Sequence, residues 1–169
     1  WSVIAGARSF AAGTSPLGEG VTVLPLDVTS EESCTAFVKK ALGMENRVDV
    51  LVCAAAQLVL GSCENTTVDE LDRLLDVNVL GAVRMIQRAL PLMRAQKSGK
   101  IILFSSINGL LGIPFQSAYT ASKHALEGYA ECLAMETADF GIQVCLVEPG
   151  DHRGGSSHTR LHAKNETNT

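Results

Sequence analysis

The sequence of 169 residues is poor in three features that would assign it to whole classes of protein. It has no apolar run that approaches the length of a membrane-spanning helix, so no membrane span is predicted. It has no Cys-x-x-Cys pair, so its cysteines do not indicate a metal site. Its net charge is −4, and without an excess of positive charge nothing supports binding to nucleic acid or to an anionic membrane.

The remaining composition is typical of a globular domain. Apolar residues make up 46% and charged residues 19%, which distinguishes the chain from a disordered one. We predict one domain over residues 1–150, followed by a polar tail over residues 151–169. The tail histidines His152, His158 and His162 leave zinc ligation open as an alternative, although no metal site is predicted. The five cysteines are odd in number and lie mostly among apolar neighbours, which favours free thiols in a reducing compartment and predicts a cytoplasmic protein.

Short apolar segments alternate with segments of helical pattern along the chain. Strands are predicted over residues 1–7, 21–26, 48–56, 100–106 and 142–150, and helices over residues 30–43, 66–96 and 116–141. The strands are continuously apolar, which is typical of a parallel sheet covered on both faces. We therefore predict an α/β fold with a doubly wound parallel Rossmann sheet in three α/β/α layers, which would bind ligands at the carboxyl ends of its strands. Thr29 with Glu32 predicts a capping box for the first helix.

Tyr119 and Lys123 are four residues apart in the last predicted helix, so their side chains should share one face. A free phenol has a pKa of about 10 and is a poor acid or base at neutral pH. A positive charge nearby would lower that pKa and let the tyrosine exchange a proton with a substrate oxygen. Ser106 lies thirteen residues before Tyr119, after the apolar run IILF, where its hydroxyl could bond the same oxygen.

This pattern resembles the short-chain dehydrogenase/reductase family, whose active-site motif is Tyr-x-x-x-Lys with a serine thirteen residues upstream. The resemblance implies that Tyr119 is the general acid in carbonyl reduction and the base in alcohol oxidation. It implies that Lys123 lowers the Tyr119 pKa and bonds the nicotinamide ribose, and that Ser106 orients the substrate oxygen. Ser105 is the alternative candidate for this serine, although its distance from Tyr119 in the sequence is one residue longer than the motif requires.

Asn78, in LLDVNVLGAV, matches the fourth catalytic residue of the family. The resemblance implies that it holds a water that links Lys123 to solvent, while an ordinary asparagine at a helix kink is the equal alternative. Asp27-Val28 resembles the pair that meets adenine, and Pro149-Gly150 resembles the turn beside the nicotinamide. The expected cofactor-binding residues are Arg8, Asp27, Val28, Ala54, Ala55, Ala56, Tyr119, Lys123, Pro149 and Gly150.

Arg8 bears on the choice of cofactor. An acidic residue at the end of this strand would bond the ribose 2′-hydroxyl of NAD. Ala7 holds that place here and Arg8 follows it, and a guanidinium can pair with a 2′-phosphate. NADP(H) is therefore predicted over NAD(H).

The chain departs from the family pattern in three places, one of which is the polar, glycine-rich tail over residues 151–169, where the family usually has an apolar substrate lid. The glycine-rich phosphate loop and the strand before it, the first βα unit, are missing from the sequence. That strand is expected in the middle of the sheet, between the strands at residues 1–7 and 48–54. In addition, the family's Asn-Asn-Ala-Gly is replaced by Cys53-Ala54-Ala55-Ala56, which loses the asparagine side chain at Ala54 and adds a methyl group at Ala56.

The wider likeness is to the branch of estradiol 17β-dehydrogenases and retinol dehydrogenases, carried by DVLVCAAAQLVLG, LDVNVLGAVRMIQ, LLGIPF and YTASKHALEGYAECLAMETADFG. It implies an oxidoreductase for a lipophilic, steroid- or retinoid-like carbonyl or alcohol, and a homodimer or tetramer that pairs through its long helices. The alternative is a non-catalytic or truncated relative with at most a dimerisation role. A second apolar stripe on the pairing helices is predicted from Val83, Ile86, Leu90, Met93, Leu126, Tyr129, Leu133 and Met135.

Overall fold

The computed structural model describes residues 1–8, 20–151 and 160–165. The loop predicted after Arg8 and most of the predicted tail, including His152 and His158, lie outside the described residues. The strands are β1 (Val3–Ala7), β2 (Val21–Pro25), β3 (Val50–Cys53), β4 (Val59–Leu60), β5 (Gly99–Phe104), β6 (Ile142–Val147) and β7 (Leu161–His162). The helices are α1 (Glu31–Glu45), α2 (Val68–Leu75), α3 (Gly81–Gln96) and α4 (Ser117–Thr137), with a π-helical turn at Asp76–Leu80 and 3₁₀ turns at Ile107–Gly109 and Ala138–Phe140.

The main sheet has the order β3-β5-β6, and its strands are parallel. Its middle strand places Ile101 and Leu103 at 0% exposure. Helices α3 and α4 cover the sheet with Ile86, Met93 and Leu126, which complete one apolar core. The predicted α/β architecture is therefore confirmed, with parallel strands and a central strand buried under the helices.

Strands β1 and β2 pair in parallel as a separate sheet. A cavity of about 1060 Å³ is lined by β1 on one side and by β3 on the other. In the part of the chain that the structure describes, each of these two strands has one sheet partner. The cavity therefore lies where the sequence analysis expects a further strand.

Local hydrogen bonds begin the helices, although not all where predicted. Ser30, rather than Thr29, caps α1 by accepting from the Ser33 amide. The Thr29 hydroxyl instead donates to Asp27 Oδ1, so the predicted Thr29–Glu32 capping box is wrong. A capping box is present at α2, where Thr67 and Glu70 bond each other's backbone amides.

The described part of the tail returns to the domain. Strand β7 pairs with β4 in parallel, and Ala163, at 5% exposure, packs in a small cluster with Val59 and Leu74. The Lys164 amide donates to Glu70 Oε1 at 2.9 Å. The polar composition of the tail gives no sign of this contact.

The predicted second apolar stripe is wrong for six of its eight members, since Leu90 and Tyr129 pack against the same core as the four buried ones. Ile86, Met93, Leu126 and Leu133 are all buried in the core against the main sheet. Met135 is 74% exposed and points away from that core. The helical spacing of these apolar residues therefore marks the face of each helix that packs on the main sheet, as an apolar stripe usually does. Among the described residues, no helix is both long and apolar enough to cross a membrane.

Candidate active site

The predicted site residues follow the carboxyl ends of parallel strands. Arg8 follows β1, Asp27 comes two residues after β2, and Ala54 follows β3. Ser106 comes two residues after β5, and Pro149 two residues after β6. Within the main sheet, parallel pairing brings the last three of these strand ends to one edge.

Tyr119 and Lys123 meet on the first turns of α4. Lys123 is 2% exposed, and its Nζ lies 5.4 Å from the centroid of the Tyr119 ring. The same Nζ donates a hydrogen bond of 2.6 Å to the Phe104 carbonyl at the end of β5. The ammonium is therefore anchored to the strand end, with the half-buried tyrosine ring beside it.

The pKa values of the pair differ from the sequence prediction. Burial raises the pKa of the Tyr119 phenol above its usual value, and a hydrogen bond from Ser106 opposes part of that rise. Burial also lowers the pKa of Lys123 to about 8, with the Glu127 carboxylate opposing the shift. The sequence predicts a lowered Tyr119 pKa, and the structure shows the opposite direction, because burial of the phenol outweighs the contribution of Ser106. In this state Tyr119 is a protonated phenol at neutral pH.

Ser106 is held by the 3₁₀ turn that follows it. It is 8% exposed and caps that turn, with its Oγ accepting from the Asn108 amide at 3.3 Å. Asn108 Nδ2 donates to Thr120 Oγ1 at 2.9 Å on α4, next to Tyr119. The turn is thus tied to α4, and the Ser106 hydroxyl, which donates to Asn108 Oδ1 at 3.3 Å, lies beside the Tyr119 phenol.

Asn78 is buried in the π-helical turn at 2% exposure. Its Oδ1 accepts from the Gln57 amide at 2.7 Å, and its Nδ2 donates to the Gln57 carbonyl at 2.9 Å and to Ser122 Oγ at 3.0 Å. Ser122 Oγ donates to the Tyr119 carbonyl at 2.7 Å. Asn78 therefore joins the loop after β3 to α4, and it also lies at the predicted kink between the two helices.

The candidate cofactor residues near β1 and β2 carry opposite charges. Arg8 is exposed, and its charge contributes to lowering the Asp27 pKa, a shift that comes first from the Thr29 hydroxyl bonded to that carboxylate. Asp27 Oδ1 accepts from the Thr29 amide and hydroxyl at 3.0 and 2.7 Å. The Val28 carbonyl accepts from Arg84 at 3.0 Å. Asp27 and Val28 are therefore fixed by their own loop, and Arg8 is open to a ligand.

The cavity extends from the space between β1 and β3 to this edge. Its lining includes Arg8, Asp27, Val28 and the exposed Ala54, Ala55 and Ala56. A guanidinium and an exposed backbone at strand ends fit the phosphate and ribose groups of a nicotinamide dinucleotide. Tyr119, Lys123, Pro149 and Gly150 do not line this cavity. Pro149 instead accepts a 3.2 Å hydrogen bond from the Ile107 amide beside Ser106.

Sequence reasoning missed three of the residues that hold the site together. Asn108, Ser122 and Gln57 bond the predicted catalytic residues, and the first two are buried. Ser122 follows Tyr119 by three residues on one helix, so helical spacing could have indicated it. Nothing in the sequence marks Gln57, whose contact with Asn78 is made through its backbone.

A family model described as short chain dehydrogenase matches residues 5–165. The 3-ketodihydrosphingosine reductase of Bacteroides thetaiotaomicron is 42% identical over 140 residues, which are 83% of this chain and 52% of that protein. Rat estradiol 17-beta-dehydrogenase 1 is 43% identical over 85% of this chain and 40% of its own length. Human retinol dehydrogenase 8 is 40% identical over 83% of this chain and 44% of its own length. The chain therefore spans about half the length of these relatives.

Solved structures give the same result. A short-chain dehydrogenase from Streptomyces avermitilis superposes with a TM-score of 0.88 at 35% identity, over 96% of this chain and 63% of that one. The protein ElxO, solved with NADP bound, superposes with a TM-score of 0.83 at 30% identity, over 89% of this chain and 63% of its own. The parallel sheet, the Tyr119–Lys123 pair and these likenesses agree, and the chain belongs to the short-chain dehydrogenase family.

Proposed function

We propose that the whole protein is an NADP(H)-dependent oxidoreductase that interconverts a lipophilic carbonyl compound and its alcohol, with Tyr119 as the proton donor and acceptor. The observation that carries the proposal is the arrangement of three side chains at one strand end. The Ser106 hydroxyl lies beside the Tyr119 phenol and opposes the rise in its pKa, and the Lys123 ammonium lies over the Tyr119 ring. This arrangement supports acid–base chemistry at an oxygen atom.

The protonation states favour carbonyl reduction. The raised pKa keeps the Tyr119 phenol protonated at neutral pH, so it can donate a proton to a carbonyl oxygen as that oxygen gains negative charge. Ser106 is placed to donate to the same oxygen and to orient it. Lys123, held by the Phe104 carbonyl, would stabilise the phenolate left after transfer. A bound nicotinamide dinucleotide would supply the hydride.

In addition to its structural role, Asn78 is placed to take part in the proposed proton path. It bonds Ser122, which in turn bonds the Tyr119 carbonyl. We propose that it also holds the water that links Lys123 to solvent, as the family resemblance implies. The expected cofactor contacts of Ala54–Ala56 and Pro149–Gly150 belong to the same proposal.

The preference for NADP(H) is supported by Arg8. Its exposed guanidinium follows β1 and lines the cavity, where it could pair with a 2′-phosphate. ElxO was solved with NADP bound and shares this fold at 30% identity. The match of a cationic side chain to the extra phosphate favours NADP(H) over NAD(H).

A lipophilic substrate is supported by the segment between Ser106 and Tyr119. Leu110, Leu111 and Phe115 are 61%, 51% and 65% exposed, and they lie in the loop that joins the Ser106 turn to α4. The names of the relatives refer to a steroid, a retinoid and a sphingoid base, all of which are largely apolar. We propose a substrate of this class.

The cavity favours a second candidate function for residues 1–169 by themselves. Strands β1 and β3 do not pair across it among the described residues, so the cofactor edge is incomplete there. A non-catalytic relative with at most a dimerisation role is therefore the alternative.

For the whole protein we propose a homodimer or tetramer, which light scattering at micromolar concentration would test. We also propose a cytoplasmic location, since Cys34 is buried as a free thiol and burial raises the Cys53 pKa to about 12.

The experiment compares Tyr119→Phe with Tyr129→Phe in the whole protein, which changes one phenol at a time on the same helix. Both variants would be assayed with NADPH against 3-ketodihydrosphingosine, estrone and retinal, and NADPH binding would be followed by fluorescence titration. Tyr119→Phe should lose nearly all reduction while NADPH still binds, because only the phenolic oxygen is removed. Tyr129→Phe should keep its activity. Activity of Tyr119→Phe within about tenfold of the parent would exclude the assignment.

A further inference from the structure

Two polar groups beside the site have no assigned role. Ser105 is 4% exposed, and its Oγ is buried without a hydrogen-bond partner among the described residues. Glu127 Oε1, on α4, is likewise buried without a hydrogen-bond partner among the described residues. Buried polar groups in folded proteins are nearly always bonded, so both require an explanation.

The two groups border one space, and Gly109 creates it. A Cβ atom on Gly109 would lie 2.5 Å from Ser105 Oγ and 2.7 Å from Glu127 Oε1, distances that real Cβ atoms do not show. A side chain at this position would therefore separate the two groups. A hydroxyl can donate to a carboxylate, which only accepts, so the pair is chemically matched.

In the structure Ser105 Oγ and Glu127 Oε1 do not bond each other. We propose that they are a positioning pair, in which the Ser105 hydroxyl turns within the space beside Gly109 to donate to the Glu127 carboxylate and so fixes Ser106 and Lys123 relative to each other. The inference rests on the proposed role of Tyr119, which both of these residues serve. It also gives a function to Gly109, because only a residue without a side chain leaves the contact open.

The pair acts where the end of β5 meets α4. Ser105 precedes Ser106 directly, and its amide is fixed by the Val147 carbonyl at 2.8 Å. Glu127 lies one helical turn after Lys123, whose Nζ bonds the Phe104 carbonyl immediately before Ser105. A Ser105–Glu127 bond would therefore complete a second tie between strand and helix, parallel to the one made by Lys123.

Glu127 also acts on the charge of Lys123. Burial lowers the pKa of Lys123 to about 8, and the Glu127 carboxylate opposes that change. The titratable neighbours on α4 are Tyr119 and Glu127, while β5 presents the Phe104 carbonyl. Among the described residues, no other charged group contributes to this shift. Glu127 thereby favours the ammonium form that the proposed mechanism needs at neutral pH.

The variants separate the hydrogen bond from the charge. Glu127→Gln keeps an oxygen that can accept from Ser105 but removes the charge, whereas Ser105→Ala removes the donor and leaves the charge. Glu131→Gln is the matched control, since this exposed glutamate lies one turn further on the same helix. All would be made in the whole protein, with Ser105→Ala/Glu127→Ala as the double variant. Ser105→Ala removes a single atom, so it is the variant most compatible with folding.

Two readouts test the pair. The ¹³Cε shift of Lys123, followed by NMR against pH, should show a midpoint lowered by about one pH unit in Glu127→Gln and unchanged in Glu131→Gln. In carbonyl reduction, Ser105→Ala and Glu127→Ala should each lower kcat about tenfold with KM unchanged, and the double variant should be no worse than either. An unshifted Lys123 midpoint together with additive effects of the two alanine variants would overturn the proposal.

The design keeps this inference distinct from the proposed function. If the whole protein reduces none of the test carbonyls, the proposed function fails, and the pair is then judged by the Lys123 midpoint and by thermal melts. Melting temperatures of the single and double variants should still be non-additive if the hydrogen bond exists. Additive melting shifts with an unchanged Lys123 midpoint would reject the pair whether or not the protein is active.

Discussion

The two parts of the sheet differ in how completely they are enclosed. In the main sheet, β5 has a parallel partner on each side and its Ile101 and Leu103 are fully buried. In the β1–β2 pair, Val3 remains 47% exposed, and across the cavity Val52 of β3 is 52% exposed. The proposed proton-transfer residues belong to the enclosed part, and most proposed cofactor residues line the cavity.

This difference separates the two tasks of the proposed enzyme. The positions of Ser106, Tyr119 and Lys123 depend on the contact between β5 and α4, which is closed by a continuous core. The positions of Arg8 and Asp27 depend on β1 and β2, which pair with each other. The proposed proton-transfer residues are thus held by a closed core, whereas most of the proposed cofactor residues border an open cavity.

The largest effect is expected when this chain is produced alone. We predict that residues 1–169 do not unfold cooperatively and do not reduce carbonyls. Within residues 1–8, 20–151 and 160–165, no strand pairs with the edges of β1 and β3 that face the cavity, and unpaired edges invite aggregation. Differential scanning calorimetry with and without NADPH measures this. A cooperative transition that NADPH raises by several degrees would show that the two parts are equally complete.

Asn78 joins the loop after β3, which borders the cavity, to α4, and its loss should have the next largest effect. Asn78→Ala would leave the Gln57 amide and carbonyl without these partners, at a cost of about 1–3 kcal/mol in unfolding free energy. Urea unfolding of the whole protein measures the cost. Asn65→Ala, in the loop before α2, is the control and should cost less. Equal costs for the two variants would mean that Asn78 does not join the cofactor edge to α4.

The sequence was most informative where local pattern and burial agree. The i, i+4 spacing of Tyr119 and Lys123 predicted that their side chains meet, and the continuously apolar runs between helices predicted the parallel main sheet. The pairing of β4 with β7 was not predictable, because it joins short segments about a hundred residues apart. The direction of the Tyr119 pKa shift was missed because burial of the phenol is a tertiary feature.

Substitution of Arg8 should have the smallest effect, since it removes one proposed cofactor contact at the edge of the less enclosed β1–β2 pair. Arg8→Ala should weaken NADPH binding about tenfold in the whole protein, because a hydrogen bond to a charged group is worth about 1.5–3 kcal/mol. NADH has no 2′-phosphate and should bind the variant as it binds the parent. Arg8→Lys should recover part of the loss, since it keeps the charge without the planar fork of donors.

Fluorescence titration with both cofactors separates a ligand contact from a structural role. The Arg8 charge also contributes to lowering the Asp27 pKa, so its removal could disturb the β2 loop without any loss of a phosphate contact. Such a disturbance would weaken NADPH and NADH by the same factor, because both carry the adenine and ribose that the loop is proposed to meet. A loss of affinity confined to NADPH would instead show that the Arg8 guanidinium contacts the 2′-phosphate.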